Sequence, residues 1–159
     1  MIGAATACAL AEQGLKVAVL EPYLPHAFAP EQNPDLRVSA LNRHSMQLLE
    51  ELNALRYIEQ MRYRHYDKLE VWEDSFAKTA FSAQDVGQTQ LGMFAENRII
   101  QLALLRSIDE HYSEQIQLIQ DKATKVDTFT GKVHTHDGWQ IKAECLIGAD
   151  GATSPIGFD

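Results

Sequence analysis

Two pairings of glycine with an acid, one near each end of the chain, have the residue types and spacing to bind a nucleotide. Gly3 opens the small-residue run Ile2 to Gly14, and Glu21 closes the apolar run that follows. A dinucleotide fold needs glycines where a helix N-terminus meets a pyrophosphate, then an acid about 20 residues on for a ribose hydroxyl. Gly3 fits the third glycine of G-x-G-x-x-G, and Glu21 fits the acid. The first two glycines and their strand do not stand before Met1, so the chain is expected to begin inside the motif. At the other end, Cys145-Leu146-Ile147-Gly148-Ala149-Asp150-Gly151-Ala152-Thr153-Ser154 reads as a buried strand opening into a tight turn. Its glycines allow close approach of backbone to a ligand, and Asp150 sits at the tip where a hydroxyl could bind. A purely structural strand-to-turn reading is equally open.

These signals must be positioned by regular elements. Ile2 to Gln13 is helix-prone with Gly14 as its cap, and Lys16 to Glu21 reads as a buried parallel strand. Pro22 to Leu36 carries four prolines and suits neither a helix nor a central strand. Arg37 to Ala40 follows, then helices over Leu41–Asn53 and Leu55–Arg62. Leu69–Glu73 alternates like a half-exposed strand that Thr79–Ser82 can pair with, and Gly92–Ala95 is a further short strand. Asn97–His111 is a helix with Ile100, Leu104 and Ile108 on one face. The remainder reads as strands over 115–119, 123–128, 132–136, 139–143 and 144–149, with turns at Thr130-Gly131 and Asp137-Gly138.

Composition narrows the function. The chain has 159 residues, 45% hydrophobic and 23% charged, enough for one domain with a core. A net charge of -8 argues against nucleic acid and against a broad grip on anionic lipid. No apolar run is long enough for a transmembrane segment, and no leader is visible. Cys8 and Cys145 lie in apolar segments and are expected to be buried and unpaired, as in a reducing cytoplasm.

The chain resembles the FAD-dependent aromatic-ring hydroxylases of ubiquinone biosynthesis. The matching segments are Gly3 to Glu21, Pro34-Asp35-Leu36-Arg37-Val38-Ser39-Ala40-Leu41, Leu69-Glu70-Val71-Trp72-Glu73, Ala95-Glu96-Asn97 with Ala103-Leu104, and Leu146-Ile147-Gly148-Ala149-Asp150-Gly151-Ala152. Met61-Arg62, Tyr66 and the strand after them look most like the group that hydroxylates 2-polyprenyl-3-methyl-6-methoxy-1,4-benzoquinol. The resemblance implies an α/β, FAD-binding Rossmann-like fold of three layers (β/β/α), incomplete, with the start of a substrate-domain sheet. Residues 1–159 would be a truncated FAD-binding domain without its first strand and C-terminal half, and about 63–95 would include a substrate-sheet segment.

The same resemblance implies an FAD-dependent monooxygenase that uses NAD(P)H and O2 on a polyprenylated aromatic ring, inactive as a fragment. Gly3 would cover the FAD pyrophosphate and Glu21 would bind the adenosine ribose. Arg37 would lie against the flavin or its phosphates, and Asn97 would touch the cofactor. Asp150 and Gly151 would form the Asp-Gly motif at FAD that helps admit the nicotinamide. Partners would be the prenylated substrate and other ubiquinone-biosynthesis proteins, in the cytoplasm or peripheral to the inner membrane. No metal is expected, and no catalytic base is identified.

Each residue has a plainer reading. Glu21 also reads as a solvent-facing strand end, Arg37 as a surface arginine in a salt bridge, and Asn97 as a helix cap. His134 and His136 alternate on a strand face but lack a third metal ligand. Tyr63, Tyr66 and Trp72 read as packing before they read as a substrate wall. Glu50-Glu51 suits a solvated helix face. Ser39, Ser45 and Ser154 lack the G-x-S-x-G context of a hydrolase. Two other functional classes stay open: a non-catalytic Rossmann-like remnant that binds a nucleotide or a protein, and half of an NAD-dependent dehydrogenase.

Overall fold

The computed structural model describes residues 1–73 and 77–151. In chain order the elements are α1 (Ile2–Glu12), β1 (Val17–Leu20), β2 (Val38–Asn42), α2 (Arg43–Glu51), α3 (Leu55–Glu59), β3 (Tyr63–Tyr66), β4 (Lys68–Glu73) and β5 (Ala77–Ser82). A 3-10 turn at Ala83–Val86 follows, then β6 (Gly92–Glu96), α4 (Asn97–His111), β7 (Ile116–Ile119), β8 (Ala123–Asp127), β9 (Lys132–Thr135) and β10 (Gln140–Lys142). These form two compact units, one of residues 1–26 and 108–159, the other of residues 27–107.

In the first unit α1 buries a stripe of small side chains, Ala4, Ala7, Cys8 and Ala11, which lets the helix lie close to β1. Gly14 ends the helix at φ 80, where a Cβ would be strained, and its N–H reaches the Ala11 carbonyl at 2.8 Å. The chain then reverses into β1. That strand pairs in parallel with β7, Val17 opposite Ile116 and Leu20 opposite Ile119. β8, β9 and β10 form an antiparallel meander with a register shift between Ala123 and Lys125. Gly131 turns it at φ 66, and a Cβ there would fall 2.1 Å from the Ala143 carbonyl oxygen.

Three expectations for this unit need correction. β1 is half-exposed rather than buried, because β7 is its one strand neighbour among the described residues. Residues 144–149 form no strand: a segment becomes a strand only where another backbone completes its ladder, and no described strand pairs with it. Cys145, on that segment, is therefore exposed, whereas Cys8 is buried. Ala152 to Ser154 lie outside the described residues.

In the second unit the sheet order is β2-β6-β3, all antiparallel. Pairing with β6 draws Leu41 and Asn42 into β2, so the helix expected from Leu41 starts at Arg43. Asn42 caps it, its Oδ1 accepting the Ser45 N–H at 2.8 Å. β3 escaped the sequence reading because Tyr-Arg-His-Tyr is short and polar, and only β6 makes it a strand. Tyr57, Ile58, Met93, Ile99 and Leu104 are fully buried between the helices and β6. Each contributes roughly 1.5–3 kcal/mol of transfer free energy. The Ser107 hydroxyl ties α4 to the Leu52 carbonyl at 2.6 Å. β4 and β5 form the expected hairpin, Leu69 opposite Phe81 and Val71 opposite Thr79. Leu69, Val71 and Phe81 share one exposed face, while the Glu70 carboxylate on the other face meets Lys68 and Lys78 at 2.5 and 2.8 Å.

Candidate nucleotide site

In the first unit the structure brings together signals from opposite ends of the chain. Gly3 lies in the first turn of α1, and residues 145–149 pass so near that a Cβ on Gly3 would be 3.3 Å from Ala149 Cβ. Asp150 and Gly151 therefore emerge beside the start of that helix, with Gly151 at φ 89 as a tight turn requires. No side chain caps α1 and its first turn holds no acid. Its leading N–H groups and the positive end of its dipole suit an anion. These residues fit a pyrophosphate.

Glu21 directly follows β1, its N–H extending the parallel ladder to the Ile119 carbonyl at 3.1 Å. Because α1 packs on β1 and the chain reverses at Gly14, Glu21 returns toward the helix's N-terminal end. The carboxyl ends of parallel strands are where open α/β sheets bind ligands. One Glu21 oxygen accepts the Tyr23 N–H at 3.1 Å. That bond orients the carboxylate and leaves its other oxygen available for a ribose hydroxyl.

Arg37 and Asn97 belong to the second unit and are joined there. The Asn97 N–H donates to the Arg37 carbonyl at 2.9 Å, continuing the β2–β6 ladder. The Ser39 hydroxyl donates to Asn97 Oδ1 at 2.6 Å. Asn97 is thus the first residue of α4, with its side chain held by Ser39, where the sequence suggested a cap. Arg37 is exposed, and its N–H donates to Asp35 Oδ1 at 3.1 Å.

Sequence reasoning missed what holds this loop. The Glu96 carboxylate is 4% exposed, and one oxygen accepts the Asp35 N–H at 2.9 Å. Its other oxygen pairs with Arg62 at 3.1 Å. Arg62 also donates to the carbonyls of Pro30 and Gln32, at 3.0 and 2.6 Å, and its guanidinium lies 5.4 Å from the Phe28 ring. Arg98 reaches the Ala27 carbonyl and the Gln32 side chain. Glu96 and Arg62 are 34 residues apart. The available signal was a carboxylate at the end of an apolar strand, which buries only with a partner.

His134 lies near Gln140 rather than in a metal set. Asp121, His136 and Asp137 do bring their ligand atoms within 4.8 Å of one another. The buried Asp121 carboxylate is already engaged by the Thr135 hydroxyl and by the N–H groups of Asp137 and Lys122. Those bonds hold its carboxyl below the usual range and make it a tie between strands. Burial pushes the Cys8 thiol up to about 11, so it stays protonated and unreactive.

No protein-family model matches the chain. Over 98% of its length it is 32% identical to 3-demethoxyubiquinol 3-hydroxylase of Escherichia coli (strain K12), covering 40% of that protein. Over the same share it is 27% identical to the mitochondrial ubiquinone biosynthesis monooxygenase COQ6 of Drosophila melanogaster, covering 35% of it. The chain thus spans well under half the length of these relatives. Among solved structures, 2-methyl-3-hydroxypyridine-5-carboxylic acid oxygenase (mutant C294A) matches 96% of the chain with a TM-score of 0.67 at 20% identity, over 37% of that structure. PqsL, a probable FAD-dependent monooxygenase from Pseudomonas aeruginosa, matches 96% with a TM-score of 0.65 at 22% identity, over 40% of its length. The chain shares its fold with part of these oxygenase structures, and along nearly its whole length it is similar in sequence to ubiquinone-biosynthesis hydroxylases.

Proposed function

We propose that this chain is the flavin-holding portion of a monooxygenase that hydroxylates the ring of a polyprenyl benzoquinol or phenol in ubiquinone biosynthesis, with NAD(P)H as reductant. The observation that carries this is the meeting of Gly3 with the segment ending in Asp150-Gly151, in a chain similar along its length to 3-demethoxyubiquinol 3-hydroxylase. When bound, FAD supplies the chemistry: reduced by a nicotinamide, it activates oxygen and passes one oxygen atom to an electron-rich ring. The residues of this chain hold and orient it. The start of α1 at Gly3 takes the pyrophosphate, and Glu21 accepts a hydrogen bond from the adenosine ribose. Arg37 brings a fixed positive charge to the phosphates or the flavin edge, with Asn97 beside it. Asp150 and Gly151 turn backbone N–H groups and a carboxylate toward the cofactor.

The exposed apolar face of the β4–β5 hairpin begins the sheet that faces the prenylated ring. Among the described residues no helix is long and apolar enough to cross a membrane. A lipophilic substrate places the protein at the surface of the membrane that supplies it.

The test grafts residues 1–159 in place of the matching segment of the E. coli hydroxylase, in cells lacking that enzyme. Recovered ubiquinone, measured by mass spectrometry, is the expected result. A folded chimera that carries no FAD rejects the flavin reading, and one that holds FAD but restores no ubiquinone rejects the substrate. The alternative of a non-catalytic remnant gains from the second result.

A further inference from the structure

The loop from Phe28 to Arg37 has no regular structure, yet its backbone is tied at several points to side chains from β6, the start of α4 and the turn before β3. Glu96 takes the Asp35 N–H at 2.9 Å with one oxygen and Arg62 at 3.1 Å with the other. Arg62 takes the Pro30 and Gln32 carbonyls with its other nitrogen. Asp35 in turn accepts the Arg37 N–H, and the Arg37 carbonyl accepts the Asn97 N–H. The connections run unbroken from a buried carboxylate to the two residues that would meet the cofactor in this unit.

An ion pair with one partner buried, as Glu96 is here beside a part-exposed Arg62, is a poor way to gain stability, because desolvating the carboxylate offsets much of the attraction. It is a good way to hold one geometry, because a guanidinium offers a rigid fork of donors and a carboxylate accepts along defined directions. Among the described residues no buried side-chain nitrogen or oxygen is without a hydrogen-bond partner, so the network is complete. A proline-rich loop that moved freely would hold Arg37 in many positions. Binding would then carry the cost of ordering it.

We infer that Glu96 and Arg62 are positioning residues, an ion pair that fixes the Phe28–Arg37 loop so that Arg37 and Asn97 are set before the cofactor arrives. The cofactor half of this statement rests on the flavin reading above. The loop half stands on the geometry alone.

The experiment measures amide hydrogen exchange on the whole chain, residue by residue, and FAD affinity in the grafted enzyme. In Glu96→Gln the amides of Asp35 and Arg37 are expected to lose about tenfold or more of their protection, while those of Ile99 to Leu104 keep theirs. FAD dissociation is expected to rise by about tenfold, with Arg62→Lys showing part of both effects. Should Glu96→Gln lose protection throughout the unit, Arg62→Lys, which leaves the buried carboxylate a cation, decides by the same readings. Unchanged exchange at Asp35 and Arg37 overturns the inference. So does a loosened loop with unaltered FAD affinity. A grafted enzyme that takes up no FAD even without substitution overturns the flavin reading instead, and the exchange result then still decides whether the pair holds the loop.

Discussion

At the scale of single residues the assignment with the most at stake is Arg37. It is exposed, and its backbone is anchored on both sides. In the grafted enzyme, Arg37→Ala is expected to cost roughly 1.5–3 kcal/mol of FAD binding, about ten- to a hundred-fold in affinity, with the fold intact. Arg37→Lys should recover part of this, because an ammonium keeps the charge and loses the fork. Fluorescence-quenching titration of FAD decides it, and equal affinities for all three proteins would make Arg37 a surface residue. The two cysteines give a second residue-scale test. Cys8 is buried and its thiol is pushed up to about 11, whereas Cys145 is exposed. A thiol reagent at neutral pH should label Cys145 in the native chain and Cys8 only after denaturant is added. Equal labelling of both in the native chain would contradict the packing of α1.

At the scale of elements, the meander is tied by Asp121, which precedes β8 and reaches the β9–β10 turn. Its carboxyl is held below its ordinary value, first by the Thr135 hydroxyl and then by the N–H groups of Asp137 and Lys122, with a smaller contribution from His136. A carboxylate lowered in the folded state adds stability above its unfolded pKa, about 3.9, and loses it as pH falls through the folded value. Asp121→Asn should therefore lower the thermal midpoint at neutral pH, and the gap to the unsubstituted chain should shrink as pH drops below about 4. Circular dichroism melts along a pH series measure this. A gap of the same size at all pH values would show that Asp121 acts by shape alone. Glu70 is also lowered, to about 2, by hydrogen bonds to Lys68 and then Lys78. It lies on the exposed hairpin, where water and salt weaken such pairs, so it is expected to matter little.

At the scale of the whole molecule, the parallel sheet of the first unit has two described strands, and residues 144–149 belong to no strand. The Asp150-Gly151 turn is thus held near α1 by a packing contact and not by a ladder. From this the chain alone is expected to bind FAD weakly, at least tenfold more weakly than the grafted enzyme, because ordering that segment costs about 1–2 kcal/mol per residue. Gel filtration of purified residues 1–159 with FAD tests this, and yellow protein with stoichiometric flavin would contradict it.

Much of the architecture was readable in one dimension because local chemistry decides it. The small-residue stripe with Gly14 specifies α1, the spacing of Ile100, Leu104 and Ile108 specifies α4, and alternation with turn glycines marks the hairpins. Gly3, Glu21 and Asp150 could be proposed as nucleotide contacts from the sequence for the same reason, since each is a residue type at a local turn or strand end. What only the tertiary structure decided depends on partners distant in the chain. Tyr63–Tyr66 became a strand because β6 pairs with it, and Glu144–Ala149 did not because no described strand does. Cys145 was exposed with it. Glu96 and Arg62 look like ordinary charges in the sequence, and only folding buries the carboxylate, pairs it with Arg62 and sets both against the loop that carries Arg37. A local pattern can name a residue that could bind, but burial and pairing across tens of residues determine what holds it in place.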